Sequence, residues 1–106
     1  MARGKQDRPW EAQLRVDLHG KNRETAIWAT KQAVFDARRR GFTRLEVIVG
    51  RGLGTQDGKA ILKPVVEKWL HGPEARAAGV RDAQPGPGGG TFRVSVTPPE
   101  RTVGGS

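Results

Sequence analysis

Asp17 and His19 stand two residues apart in the run Leu14-Arg15-Val16-Asp17-Leu18-His19-Gly20, where apolar and polar residues alternate. In a strand that spacing turns both side chains to one side, so a carboxylate can hold one imidazole nitrogen while the other moves a proton. A strand-end histidine capping a backbone group beside a surface carboxylate meets the same spacing. A second group, Gly50-Arg51-Gly52-Leu53-Gly54, follows the short apolar run Leu45-Glu46-Val47-Ile48-Val49. Glycines between a strand and a helix let the backbone approach a ligand closely, and the N–H groups of such a loop suit a phosphate. Arg51 could neutralise a phosphate oxygen and the charge that builds during transfer. The loop lacks the Lys-Ser/Thr ending of a P-loop, and its glycine spacing is not that of a dinucleotide fingerprint, which disfavours nucleotide cofactors. A plain strand-to-helix turn has a similar composition.

The surrounding elements must bring these two groups together. Leu14, Val16 and Leu18 predict a first strand, with a helix beginning near Arg23 behind Asn22 as N-cap. Ala26, Ile27, Thr30, Ala33, Val34 and Ala37 recur at helical spacing, and Gly41 after Arg38-Arg39-Arg40 ends that helix. Ile61, Leu62, Val65, Val66, Trp69 and Leu70 predict a second helix closing at Gly72-Pro73, with Pro64 either kinking it or marking its regular start. Val80 to Ala83 reads as a short strand. Phe92, Val94 and Val96 alternate in a final strand after the turn Pro85-Gly86-Pro87-Gly88-Gly89-Gly90. The order β-α-β-α-β-β predicts a two-layer α/β sandwich with both helices on one sheet face. A right-handed crossover then makes the first two strands parallel and puts His19 and the glycine loop at one edge, where open α/β sheets bind ligands.

The 106 residues suffice for one domain, expected over 14–97 between an N-terminal arm, 1–13, and a flexible tail, 98–106. A net charge of +8, from 19 Lys and Arg against 11 Asp and Glu, makes a polyanion the leading partner. No apolar run is long enough for a bilayer and no signal-peptide core follows the charged N-terminus, so a cytoplasmic chain without a membrane partner is expected, as a monomer. The absence of cysteine excludes disulfides, thiolate catalysis and Cys-based zinc sites. Lys21, Arg23, Lys31, Arg38, Arg39, Arg40 and Arg44 form a basic track on and around the first helix, to be weighed against an ordinary solvated helix face. Trp28 and Phe35, seven apart, could stack on bases or hold a partner, or they could cover the N-terminal arm through Trp10. His71 at a helix end reads as structural. With two histidines and no clustered carboxylates a metal centre is poorly supported, although Asp17 with His19 could help hold Mg²⁺ at a phosphate.

Taken together, Leu14 to Gly20, the helix with Glu24 and Ala26, Gly50 to Gly54, the helix through Leu70 and the glycine-rich turn before Thr91 resemble the Smr (small MutS-related) domain over roughly Leu14 to Thr97. The resemblance implies a four-stranded mixed sheet, similar to the C-terminal domain of translation initiation factor three, and an endonuclease that nicks DNA or cleaves RNA. It also implies messenger RNA cleavage at stalled ribosomes as a role of standalone members. The family's Asp-x-His falls on Asp17 and His19, and its second motif on Gly50, Gly52 and Gly54 with Arg51. One departure stands out: many members begin that second motif with histidine, and others with threonine, where this chain has Val49.

The reading that results is a phosphodiester endonuclease, RNA preferred over DNA. His19 is its acid or base, Asp17 orients the ring, and Arg51 with the loop amides stabilises the phosphorane. Gly50, Gly52, Gly54, Lys21, Arg23 and Arg15 hold phosphates. With RNA the ribose 2′-OH can be the nucleophile and no cofactor is required, whereas DNA needs an activated water and brings Mg²⁺ in. A nucleic-acid or ribosome binding module without catalysis is the alternative, and a protein-interaction domain built on Trp28 and Phe35 ranks third.

Overall fold

The computed structural model of the chain describes residues 10–50 and 62–97. The arm before Trp10, the tail 98–106, Ile61 at the expected start of the second helix, and Arg51, Gly52 and Gly54 lie outside the described residues. The elements run β1 (Leu14–Asp17), α1 (Arg23–Arg39), β2 (Arg44–Ile48), α2 (Leu62–Leu70), α3 (Pro73–Ala78), β3 (Val80–Pro85) and β4 (Thr91–Val96). They form a mixed α/β fold whose four-stranded sheet has the order β1-β2-β4-β3. β1 and β2 are parallel, with Asp17 opposite Ile48, while β4 is antiparallel to both β2 and β3.

The strand pattern decides which face is covered. Leu45 and Val47 of β2 alternate with Arg44, Glu46 and Ile48, and Phe92, Val94 and Val96 of β4 alternate with Thr91, Arg93 and Ser95; in each strand the first set is buried. Against it pack Ala26, Thr30, Ala33, Val34 and Ala37 of α1, Leu62, Val66 and Leu70 of α2, and Ala75 of α3. The small residues of α1 let the helix sit close to the sheet, and full burial of a side chain such as Phe92 contributes about 1.5–3 kcal/mol. Thr30, a buried polar residue in this layer, donates its hydroxyl to the Ala26 carbonyl at 2.8 Å. The opposite face carries the row Arg15, Glu46, Arg93 and Gln84 in register across the sheet.

Both ends of α1 are closed by local chemistry. The Asn22 side chain accepts the Thr25 N–H at 2.8 Å, as an N-cap does. At the other end Gly41, with φ +78°, donates to the Arg38 carbonyl and Phe42 donates to that of Ala37, the paired bonds of a Schellman motif.

Three expectations change. The second helical segment ends at Leu70, just before Gly72-Pro73, but the chain does not run on to β3 without a helix: Pro73 opens the separate α3 from its first position, with Glu74 in the first turn. Proline costs nothing there because the first N–H groups of a helix have no intrahelical partner. The same reason accommodates Pro64, the third residue of α2, without a broken hydrogen bond. Trp10 does not cover Trp28 and Phe35; the Arg93 guanidinium lies 5.0 Å from its ring centre, on the open face of the sheet. The chain next to it is tied down at the start of β2, where the Gln13 side chain accepts from Thr43 and Arg44 and the Arg44 side chain donates to the Glu11 carbonyl. The third strand runs to Pro85, two residues past the expected Ala83, with a register shift between Val80 and Asp82.

Candidate functional site

Asp17 closes β1 on the open face, and the four residues Asp17-Leu18-His19-Gly20 each have a separate task. Leu18 is fully buried and its N–H donates to the Ile48 carbonyl at 2.7 Å, which locks the strand end to β2. The Lys21 N–H donates back to the Leu18 carbonyl across a turn whose third residue, Gly20, has φ +83°, a value that favours glycine. His19 is thereby held at the second turn position. Its backbone N–H donates to Asp17 Oδ1 at 3.1 Å, and its ring Nδ1 lies 2.8 Å from the same oxygen. These bonds, the ring contact foremost, hold the Asp17 carboxyl below the usual aspartate range, with Lys21 adding a smaller attraction. An ionised carboxylate can only accept, so Nδ1 carries the hydrogen and the lone pair of a neutral ring falls on Nε2. The His19 side chain is 73% exposed, so Nε2 is free to meet a substrate.

The end of β2 meets this pair, the glycine-rich turn is fastened to that end, and α2 reaches the turn. Gly50 has φ +85°, and a β-carbon placed on it would be 3.8 Å from that of His19. The carbonyl of Gly90 accepts the N–H groups of both Val49 and Gly50, at 2.8 and 3.1 Å, and so fastens the glycine-rich turn before β4 to the end of β2. Gly86 in that turn is required by space: a β-carbon there would collide with the Thr91 hydroxyl, a buried oxygen with no hydrogen-bond partner among the described residues. Lys63 of α2 brings its ammonium within 3.9 Å of where a Gly89 β-carbon would be, which adds a cation to this edge. Sequence reasoning missed Lys63, since nothing local in Leu62-Lys63-Pro64 announces a neighbour some 25 residues on.

The expected cations separate into two groups. Lys21 and Arg23 follow His19 directly, are exposed, and have no acidic partner among the described residues. Arg15 shares the Asp17 face, and its Nε donates to Glu46 at 2.8 Å while its side chain stays 62% exposed. The rest of the predicted basic track makes ion pairs or hydrogen bonds within the protein, although the Arg39 side chain stays 63% exposed while it does so. Lys31 pairs with Glu74 at 2.6 Å, Arg39 and Arg40 pair with Asp36, and Arg44 holds the Glu11 carbonyl. Arg38 donates to the carbonyls of Ala78 and Thr97 at 2.8 and 2.6 Å, joining α1 to the end of α3 and to the chain after β4.

Val49 is buried among the core side chains, which leaves His19 as the one imidazole at this edge among the described residues; His71 is exposed at the end of α2. Among the described residues no three metal-ligating side chains cluster, and one oxygen of the single carboxylate already accepts two hydrogen bonds. Nor is any helix of the described residues long and apolar enough to cross a membrane.

The Smr domain family model matches residues 16–94, a span that includes Asp17, His19, Gly50 and the turn before Thr91. Among solved structures the chain is similar to the Smr domain of Thermus thermophilus MutS2, with a TM-score of 0.63 and 26% identity over 79% of this chain and 98% of that one. It is also similar to the human small-MutS related domain, with a TM-score of 0.57 and 26% identity over 77% of this chain and 99% of the other. No curated protein matches the chain. The family match covers most of the chain and these two likenesses agree with it, and the chain belongs to the Smr domain family.

Proposed function

We propose that this chain is an endonuclease that cleaves RNA by attack of the ribose 2′-OH on the adjacent phosphate. The observation that carries the reading is the His19 ring, fixed by Asp17 through Nδ1 at 2.8 Å with Nε2 open to solvent beside Gly50. It agrees with the nuclease-like and nucleic-acid-binding roles of Smr domains.

His19 Nε2 takes the proton of the 2′-OH, the 2′ oxygen bonds to phosphorus, and the bond from phosphorus to the 5′ oxygen breaks. The departing oxygen takes its proton from the solvent that reaches this exposed edge, and a 2′,3′-cyclic phosphate remains. Asp17 holds the tautomer and stabilises the imidazolium that forms. Lys63, Lys21 and Arg23 supply positive charge to the phosphate, with Arg51 and the loop glycines Gly52 and Gly54 as further contributors. No step is routed through a metal. A binding module without catalysis is the second reading, favoured by the burial of Val49, which leaves the edge with one imidazole.

End-labelled unpaired RNA incubated with the wild type, Asp17→Asn and His19→Ala separates the two. Loss of cleavage in His19→Ala by about 10²–10⁴-fold, with binding kept, is the enzyme's result. Equal trace cleavage by all three proteins, with salt-sensitive binding intact, belongs to the binding module.

A further inference from the structure

Trp28 and Phe35 are the exposed large apolar side chains of the described residues, at 61% and 59% exposure. Seven residues apart, they lie two turns apart on α1, roughly 10 Å along its axis. β1 is an edge strand, with no strand of the described residues on its outer side. Between that side and α1 lies a groove of about 460 Å³. Leu14 and Val16 form its apolar floor, Trp28 and Phe35 its wall, and Arg15 and Arg39 its charged rim. Arg39 lies over the Phe35 ring, with its guanidinium 5.8 Å from the ring centre. Asp36, an acidic residue of the groove, is offset by Arg39 and Arg40 at 3.3 and 3.4 Å.

The groove reaches Val16, the residue before Asp17 in β1, and neither Asp17 nor His19 lines it. Arg15 precedes Asp17 by two residues on the same face of β1, roughly 6.6 Å along the strand, and α1 starts four residues after His19. From this continuity we infer that the groove is the path of the unpaired RNA strand flanking the cut bond. Its phosphates lie along the Arg15 and Arg39 rim and two of its bases stack on Trp28 and Phe35. The inference rests on the RNA-cleaving reading and adds the form of substrate. Rings beside guanidinium groups suit bases and phosphates together, and the chain's net charge of +8 favours a polyanion over a neutral or basic peptide. Stacking needs bases whose faces are free, so duplex RNA cannot use the groove.

The test measures binding of an uncleavable 2′-O-methyl RNA of about 12 nucleotides, unpaired or in duplex, by fluorescence anisotropy. The proteins are the wild type, Trp28→Ala, Phe35→Ala, the double variant and Trp28→Phe. Both side chains are on the surface, and matching thermal unfolding curves establish that the variants are folded. Each alanine variant is expected to weaken binding of the unpaired RNA about 5- to 100-fold, and Trp28→Phe, which keeps a ring, to retain most of the affinity. The wild type prefers the unpaired strand, and the double variant loses that preference.

Unchanged affinity in the double variant overturns the groove assignment, leaving the face to a protein partner. Equal weakening in Trp28→Phe and Trp28→Ala overturns the stacking. Cleavage of unpaired RNA by the wild type is scored separately: a protein that binds through Trp28 and Phe35 without cutting refutes the nuclease reading and supports the groove. One that cuts while the double variant binds normally does the reverse.

Discussion

A β-carbon on Gly50 would stand 3.8 Å from the β-carbon of His19, so the ends of β1 and β2 meet at van der Waals distance although the two residues are 31 positions apart. A β-carbon would make only ordinary contact with the histidine, so it is the positive φ of Gly50 that favours glycine there. Gly50→Ala is therefore expected to cost about 1–2 kcal/mol, the penalty for an L-residue in the left-handed region. Urea unfolding checks the stability, and an unchanged midpoint would show that the turn relaxes freely.

Protonation of Asp17 breaks what orients His19. His19 lowers the Asp17 pKa, and Lys31, with Trp69 second, lowers that of Glu74. Both carboxyls bind a proton less readily folded than unfolded. The stability they contribute is thus fully present above their unfolded-chain values and is lost as pH falls through the folded ones, below about pH 4. Carboxyl chemical shifts followed through an acid titration should show Asp17 rising in His19→Ala and Glu74 rising in Lys31→Ala. Shifts that stay put in both variants would contradict these assignments.

Arg38 is expected to act on stability alone. Its guanidinium donates to two carbonyls from separate segments and fills the space beside Gly79, where a β-carbon would be 2.5 Å from Arg38 Nε. Arg38→Ala should cost about 2–3 kcal/mol in urea or thermal unfolding, the range for hydrogen bonds from a charged donor. RNA affinity per folded molecule should be unchanged, and a selective loss of RNA binding would return Arg38 to the basic track.

Lys63 is expected to act on substrate. Lys63→Ala should leave unfolding unaltered, lower kcat/KM for RNA about tenfold, and reduce the slope of log affinity against log salt by about 1, as loss of one phosphate contact does. A salt slope equal to that of the wild type would remove Lys63 from the phosphate site.

Much of this could be read from local chemistry. The alternation in Leu14-Arg15-Val16-Asp17-Leu18 assigns a face to each residue, and the small apolar residues of α1 declare its buried side, so the strands, the helix and the meeting of His19 with Gly50 follow from short-range patterns and one parallel crossover. What escaped depends on distant partners or on residues with two uses. Gly72-Pro73 ends one helical segment and opens another, and only the opening shows that Ala75 belongs to the core. Arg38 sits in a run of three arginines that looks uniform, yet its partners at 78 and 97 make it a tie between segments. Trp10, expected against Trp28 and Phe35, instead meets Arg93, a cation on the sheet that no local pattern pairs with it.

In the proposed reaction His19, aligned by Asp17, uses the substrate's own 2′-OH. That step is tested most directly by mapping a cut in an RNA oligonucleotide and replacing the single ribose 5′ of that cut with deoxyribose, in buffer containing EDTA. Mass spectrometry of the product ends then reads the chemistry. The account predicts a 2′,3′-cyclic phosphate from the all-ribose strand and no cut at the deoxy position. Cutting at the deoxy position at the same rate, or a product with a 5′-phosphate, would contradict it.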